Sequence, residues 1–212
     1  TDDESLWRRM WAYKDHGKSY AAVYEREHPP GFRWLHESFG TNWRMLEVQA
    51  AVGRIQLRRI DDWNSARAAN AEAIRAACGP YPVVRVPQFG CAAGRCASDC
   101  AARSGCRHAQ YKCYVYLQPE LMAPGWSRDA VVEAIQARGV PCYQGSCSEV
   151  YLEKAFEGTG WRPQRRLPVA NALGETSLMF LVHPTLTSDD VARTCAVIRS
   201  VLNEASLPPT ND

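Results

Sequence analysis

Asn42 and Arg44, in Gly40-Thr41-Asn42-Trp43-Arg44, stand directly before a long helical pattern. An amide and a guanidinium two residues apart make an anion-friendly pair, because both donate hydrogen bonds and the guanidinium does so as a charged planar fork. A helix directly behind them would hold both rigid. Spacing alone also admits an Asn cap and a solvated Arg. A second candidate is CAAGRCASDCAARSGC, which carries Cys91, Cys96, Cys100 and Cys106, with His108 just beyond. Thiolates at such separations could hold zinc. The tight Cys-x-x-Cys pairs of strong zinc motifs are missing, so we expect a flexible insertion and no metal.

The elements that must position these residues follow from periodicity. Thr1 and Glu4 have capping-box spacing, and Leu6, Met10 and Tyr13 follow as one helix face that ends at Gly17. The segment from Lys18 to Phe39 is a loop around Pro29-Pro30-Gly31, rich in aromatics (Tyr20, Tyr24, Phe32, Trp34, Phe39), and so is expected to be functional or an interface element. Leu46, Ala50, Gly53, Leu57 and Ile60 then form one apolar stripe, and Val48, Val52 and Ile55 a second. A helix apolar on two faces is expected to be buried on two sides. The pattern continues to Cys78-Gly79-Pro80, giving a helix over 45–79 of roughly 50 Å at 1.5 Å per residue.

Beyond Pro80, strands are expected at 83–86, 111–117, 140–143 and 177–182, with helices at 127–139, 149–156, 168–173 and from Thr187 onward, where Thr187 and Asp190 repeat the capping-box spacing. The tail from 206 to 212 reads as disordered. This alternation makes a small α/β sandwich. The expected division is 1–44, the end of a larger domain; 45–79, an interdomain helix; 80–205, a small α/β domain; and 206–212, a tail.

A net charge of +2 gives no electrostatic case for nucleic acid or membrane as a partner. No apolar run approaches the roughly 18 residues that span a bilayer. The nine cysteines are too diluted by apolar residues for a disulfide-stapled miniprotein, and the acidic opening is no signal peptide, so we expect reduced thiols in a cytoplasm. A chain that begins on a helix cap without an initiator Met is expected to be a piece of something longer.

Gly40-Thr41-Asn42-Trp43-Arg44-Met45 followed by Glu47, Gln49-Ala50-Ala51, Gly53 and Gln56-Leu57 resembles G-x-N-x-R-M-x-E-x-Q-A-A-x-G-x-x-Q-L of the nucleotide-sugar aminotransferase (DegT/DnrJ/StrS) family. Lys14-Asp15-His16-Gly17 resembles that family's R-x-H-G. Leu167-Pro168-Val169-Ala170 and Leu181-Val182-His183-Pro184 resemble its closing P-V-A and L-P-L-[HF]-P blocks. The resemblance implies the C-terminal part of a fold type I enzyme that uses pyridoxal 5'-phosphate (PLP) and works as a homodimer on a nucleotide-sugar, with glutamate as amino donor. It implies that Asn42 reaches the PLP phosphate across the dimer, and that Arg44, Tyr143 and His183 lie on the substrate side. The Schiff-base lysine is expected upstream. None of Lys14, Lys18, Lys112 and Lys154 stands in its context, so this chain alone is expected to be inactive. A family dehydratase, with His in place of that lysine, and a non-catalytic fragment that only dimerises are the alternatives. The family's H-Y-P-x-P-x-H loop is here Cys142-Tyr143-Gln144-Gly145-Ser146-Cys147-Ser148-Glu149, without the His, which puts the identity of the sugar in doubt. For Tyr143 a plain turn, and for His183 a partly buried strand end, are the competing readings.

Overall fold

The computed structural model describes residues 1–28, 35–88 and 108–208. The candidate zinc cysteines, Pro29-Pro30-Gly31, Phe32 and Trp34 lie outside the described residues. The chain divides into two compact units, Thr1–Arg59 and Ile60–Asp212.

The first unit opens with α1 (Glu4–Lys14). Its cap is Asp3, whose carboxylate accepts the Leu6 N–H at 2.9 Å; Thr1, expected as the cap, instead accepts the N–H of Asp3. The carboxylate is the stronger acceptor and carries negative charge toward the positive end of the helix. Tyr20, the cap of a π-helical turn at Ala21–Glu25, and Tyr24 within that turn pack on α1. Tyr20 lies 5.1 Å from Trp7 and 5.3 Å from Trp11, and Lys14 Nζ sits 3.7 Å above the Trp11 ring.

The segment after α1 crosses the segment before the next helix at backbone distance. Thr41 N–H donates to Tyr13 O at 2.7 Å and His16 N–H to Thr41 O at 3.1 Å, while Glu37 N–H reaches Gly17 O at 2.9 Å. Isolated bridges pair Asp15 with Asn42 and Lys18 with His36. The approach requires glycine on both sides. A Cβ on Gly17 would stand 1.7 Å from the Ser38 carbonyl oxygen, and one on Gly40 would stand 2.4 Å from the Gly17 nitrogen. Gly17 also has φ +89°, which other residues adopt only under strain.

The expected helix over 45–79 is two helices, α2 (Glu47–Arg58) and α3 (Ile60–Cys78), with Arg59 as the break. The physical reason lies in the charges. Arg58 and Arg59 suit the negative end of one helix, and Asp61 and Asp62 suit the positive end of the next. Double-sided burial of this region is not seen either. Leu46, Val48, Val52, Ile55 and Leu57 are all exposed, since no described element of the unit covers α2.

The second unit is a two-layer α/β sandwich. Its sheet has the order β1-β2-β4-β3, from β1 (Val84–Arg85), β2 (Cys113–Leu117), β4 (Ser177–Phe180) and β3 (Cys142–Tyr143), and every pairing is antiparallel. The register sets Cys113 opposite Phe180 and Val115 opposite Leu178 on one face, with Tyr114 opposite Met179 and Tyr116 opposite Ser177 on the other. The first face packs against α3, α4 (Arg128–Ala137) and α6 (Ser188–Ala205). Ile74, Val131, Ile135, Phe180, Ile198 and Leu202 are its fully buried centre. Each such side chain contributes about 1.5–3 kcal/mol by leaving water. The expected caps hold: Ser127 accepts from Ala130 N–H, and Thr187 and Asp190 make a reciprocal capping box. Among the described residues no helix is long and apolar enough to cross a membrane. The stretch expected to trail off at 206 is held at its start, because Ser206 bridges Met122 and Leu207 N–H reaches Leu121 O at 3.1 Å.

The expected helix at 149–156 is two separate 3-10 turns, Val150–Leu152 and Lys154–Phe156. Arg162 takes the carbonyls of Tyr151, Leu152 and Glu153, which a continuing helix would need. What anchors this region is Glu149, whose nearly buried carboxylate accepts from Arg166 through both Nε and Nη2, from the Tyr151 hydroxyl at 2.5 Å and from Asn171 Nδ2 at 3.3 Å; Asn171 belongs to α5 (Pro168–Thr176). The bonds from Arg166, then Tyr151, hold the carboxyl down from 4.5 to about 2.

Two outcomes are expected. Gly17→Ala should cost about 3 kcal/mol or more, combining a left-handed backbone with a clash against main chain; urea unfolding followed by tryptophan fluorescence, which reports Trp7, Trp11 and Trp43 of that unit among others, checks it. Glu149 has a lowered pKa, so its stabilisation is complete above about 4.5 and fades as pH falls toward about 2. Glu149→Gln should therefore lower the thermal midpoint at pH 7 and narrow the gap between the midpoints at pH 7 and pH 3; an unchanged gap would show that the ion pair contributes nothing.

Candidate functional site

The crossing of the two glycine segments brings Asp15, His16, Asn42 and Arg44 together. The bridge between Asp15 and Asn42 fixes their backbones side by side, and His16 holds φ +61°, a conformation uncommon for a residue with a side chain. Arg44 folds back over this platform. Its Nε donates to Asn42 Oδ1 at 3.1 Å, its Nη1 stands 3.2 Å from Asp15 Oδ1, and its Nη2 stands 3.1 Å from His16 Nε2. Lys18 Nζ lies 3.9 Å from the same Asp15 oxygen. The Asp15 carboxylate is nearly buried, whereas the Arg44 side chain is about half exposed.

One consequence follows from donor chemistry alone. Arg44 has no acceptor, so the oxygen of the Asn42 amide must face it. The amide nitrogen is then turned the other way, without a hydrogen-bond partner among the described residues, on an exposed residue beside a cation. That is a donor suited to an oxyanion.

The other candidates lie in the second unit. Tyr143 is exposed at the end of β3, opposite Met179, on the sheet face away from the core. The loop that follows is fastened from below. The Ser177 hydroxyl donates to Gln144 O at 2.5 Å, and the Tyr114 hydroxyl accepts the Ser146 N–H at 3.2 Å. A Cβ on Gly145 would stand 2.4 Å from the Tyr114 ring, so the loop lies directly on that ring. Ser146, Cys147 and Ser148 line a polar cleft of about 380 Å³ with Glu149 and Glu175. His183 closes the turn between β4 and α6: its Nδ1 is 2.7 Å from the Thr185 hydroxyl, and its carbonyl accepts from Asn70 Nδ2 and Leu186 N–H. His183 is exposed, where the competing reading expected a partly buried histidine at a strand end, and no hydrogen bond joins it to Tyr143.

Among the described residues no group of three or more His, Cys, Asp or Glu is placed to hold a metal. Burial pushes the thiols of Cys78 and Cys142 up to about 12 and that of Cys113 up to about 11, so these cysteines stay protonated and serve as core residues rather than nucleophiles. Sequence reasoning passed over Asp15. Its signal was present: a lone carboxylate between Lys14 and Lys18, immediately before a residue and a glycine that take up the left-handed region.

The sequence model of the DegT/DnrJ/EryC1/StrS aminotransferase family matches residues 1–199. The structure is similar to that of the aminotransferase from Psychrobacter cryohalolentis, with 55% identity and a TM-score of 0.81 over 96% of this chain and 50% of that one. Locally, 55 residues are 40% identical to the dTDP-3-amino-3,4,6-trideoxy-alpha-D-glucose transaminase of Streptomyces venezuelae, covering 26% of this chain and 14% of that protein. A similar stretch of 56 residues is 39% identical to the erythromycin biosynthesis sensory transduction protein EryC1 of Saccharopolyspora erythraea, covering 26% of this chain and 15% of that protein. The chain spans about half the length of the P. cryohalolentis enzyme. With nearly its whole length matched by the family's sequence model and its fold shared with an aminotransferase of high identity, this chain belongs to the DegT/DnrJ/EryC1/StrS aminotransferase family.

Proposed function

We propose that this chain is the C-terminal part of a PLP-dependent aminotransferase that acts on a nucleotide-linked keto-sugar, takes its amino group from glutamate and works as a homodimer. The observation that carries the reading is the outward amide nitrogen of Asn42, held in that orientation by Arg44, in a chain of this family. When bound, the cofactor supplies an electron sink for proton removal beside the amino nitrogen. Asn42 Nδ2 donates to an oxygen of the cofactor phosphate held by the other subunit. Arg44 adds positive charge on the side from which a nucleotide-sugar, itself an anion, approaches. Tyr143 and the polar loop behind it face the sugar. The lysine that holds the cofactor is assigned to a segment outside these residues: Lys14 lies against Trp11 and Lys18 against Asp15, neither in the family's lysine context.

Mixed dimers test the trans arrangement. Asn42→Ala in the enzyme assembled with its lysine-bearing part should weaken PLP retention about 5- to 150-fold, the equivalent of a lost donor to a charged acceptor, about 1–3 kcal/mol. Subunits with Asn42→Ala are then mixed with subunits lacking the lysine. One site of each heterodimer keeps both groups, so activity should return to the mixture. No return, with heterodimers confirmed by mass spectrometry, would show that Asn42 serves its own subunit. A histidine at the lysine position of the upstream part would move the reaction to a sugar dehydratase.

A further inference from the structure

We infer that His16 and Asp15 are positioning residues, which hold the Arg44 guanidinium so that Asn42 presents its amide nitrogen, and not its oxygen, outward; the functional value of this rests on the proposed phosphate role of Asn42. Two acceptors meet the guanidinium, Asn42 Oδ1 at Nε and His16 Nε2 at Nη2, both at 3.1 Å, and Nη1 makes an ion pair with Asp15 Oδ1 at 3.2 Å, a buried oxygen with no hydrogen-bond partner among the described residues. Hydrogen bonds at two nitrogens of a planar fork, with an ion pair at the third, favour one orientation of it. The amide of Asn42 therefore cannot turn over without setting its NH2 group against a cation that only donates.

The same logic assigns the imidazole. Since Arg44 Nη2 is a donor, holding Arg44 in this way requires His16 Nε2 to be the acceptor, with the ring proton on Nδ1. The backbone supports a selected role for that ring. His16 sits at φ +61°, where Gly or Asn would sit more easily. The left-handed turn brings the ring within reach of Arg44 from the same segment that supplies Asp15. Asp15 completes the arrangement by offsetting the charge of Arg44 from a nearly buried position, with Lys18 Nζ 3.9 Å from the same carboxylate oxygen.

Two substitutions at His16 separate an acceptor from a backbone role. His16→Gln places an amide oxygen where Nε2 stands but tolerates the left-handed region poorly. His16→Asn tolerates that region best but falls short of Arg44. In the assembled enzyme, PLP release is followed by absorbance and folding by the thermal midpoint. His16→Gln should keep release within about twofold of the unsubstituted protein, and His16→Asn should speed it about three- to tenfold, the size of one lost hydrogen bond; Asp15→Asn should also speed it. If Asn retains PLP as well as or better than Gln, the ring serves only the turn and the inference is overturned. Long-range 1H–15N spectra of the unsubstituted chain should show His16 with its proton on Nδ1 at neutral pH; a proton on Nε2 overturns it without any variant. An Asn42→Ala control that leaves PLP release unchanged would instead defeat the phosphate role of Asn42, and the tautomer alone would then decide whether His16 holds Arg44.

Discussion

At Gly17 the space a side chain would occupy is taken by the carbonyl oxygen of Ser38, and at Gly40 by the backbone of Gly17 and Tyr13. Two stretches of main chain therefore run against each other with nothing between them. Hydrogen bonds from Thr41 and His16 lock the approach, because each would otherwise leave a backbone group unpaired near the crossing. The polar site depends on this contact. Asp15 and His16 come from one stretch, Asn42 and Arg44 from the other, and a displacement of even one residue would separate the guanidinium from both Asp15 and His16.

In the second unit the controlling constraint is different. A four-stranded antiparallel sheet buries one face under three helices, and alternation along β2 decides what each face offers. Cys113, Val115 and Leu117 go inward, while Tyr114 and Tyr116 remain outside, where Tyr114 supports the loop after Tyr143 and Tyr116 receives the Arg85 guanidinium at 4.5 Å. The 149–166 region leaves its large apolar side chains Val150, Leu152 and Trp161 exposed. Arg162 and Arg166 organise it through carbonyl and carboxylate contacts instead, so it is held by polar bonds at defined points rather than by packing.

Much of this was legible in the amino-acid order. The caps at Ser127 and Thr187, the α6 face of Cys195, Ile198 and Leu202, and the apolar run of β4 follow from side-chain period and capping chemistry, both local properties. The motif from Gly40 to Leu57 pointed to the family that the sequence comparison finds. Non-local effects were not legible. The helix break at Arg59 shows only in the charges on either side of it, and the apolar period runs straight through it. The Glu149 anchor joins residues up to 22 positions apart with no spacing rule. Asp15 gained its role only when a left-handed turn brought Arg44 to it. The stripes of α2 were read correctly as apolar, but period cannot say whether the surface that would cover them belongs to the same chain.

Among the described residues, the four buried thiols of the second unit are distributed one to an element: Cys78 at the end of α3, Cys113 in β2, Cys142 in β3 and Cys195 in α6. Each is shielded from solvent by the same core, yet each would be uncovered by the loosening of a different piece. A thiol reagent applied under native conditions can reach a given sulfur only while its own element is open, so the four labelling rates would resolve the opening free energies of two helices and two strands separately. The sandwich thus carries an intrinsic set of probes for whether its layers open as one body or in turn.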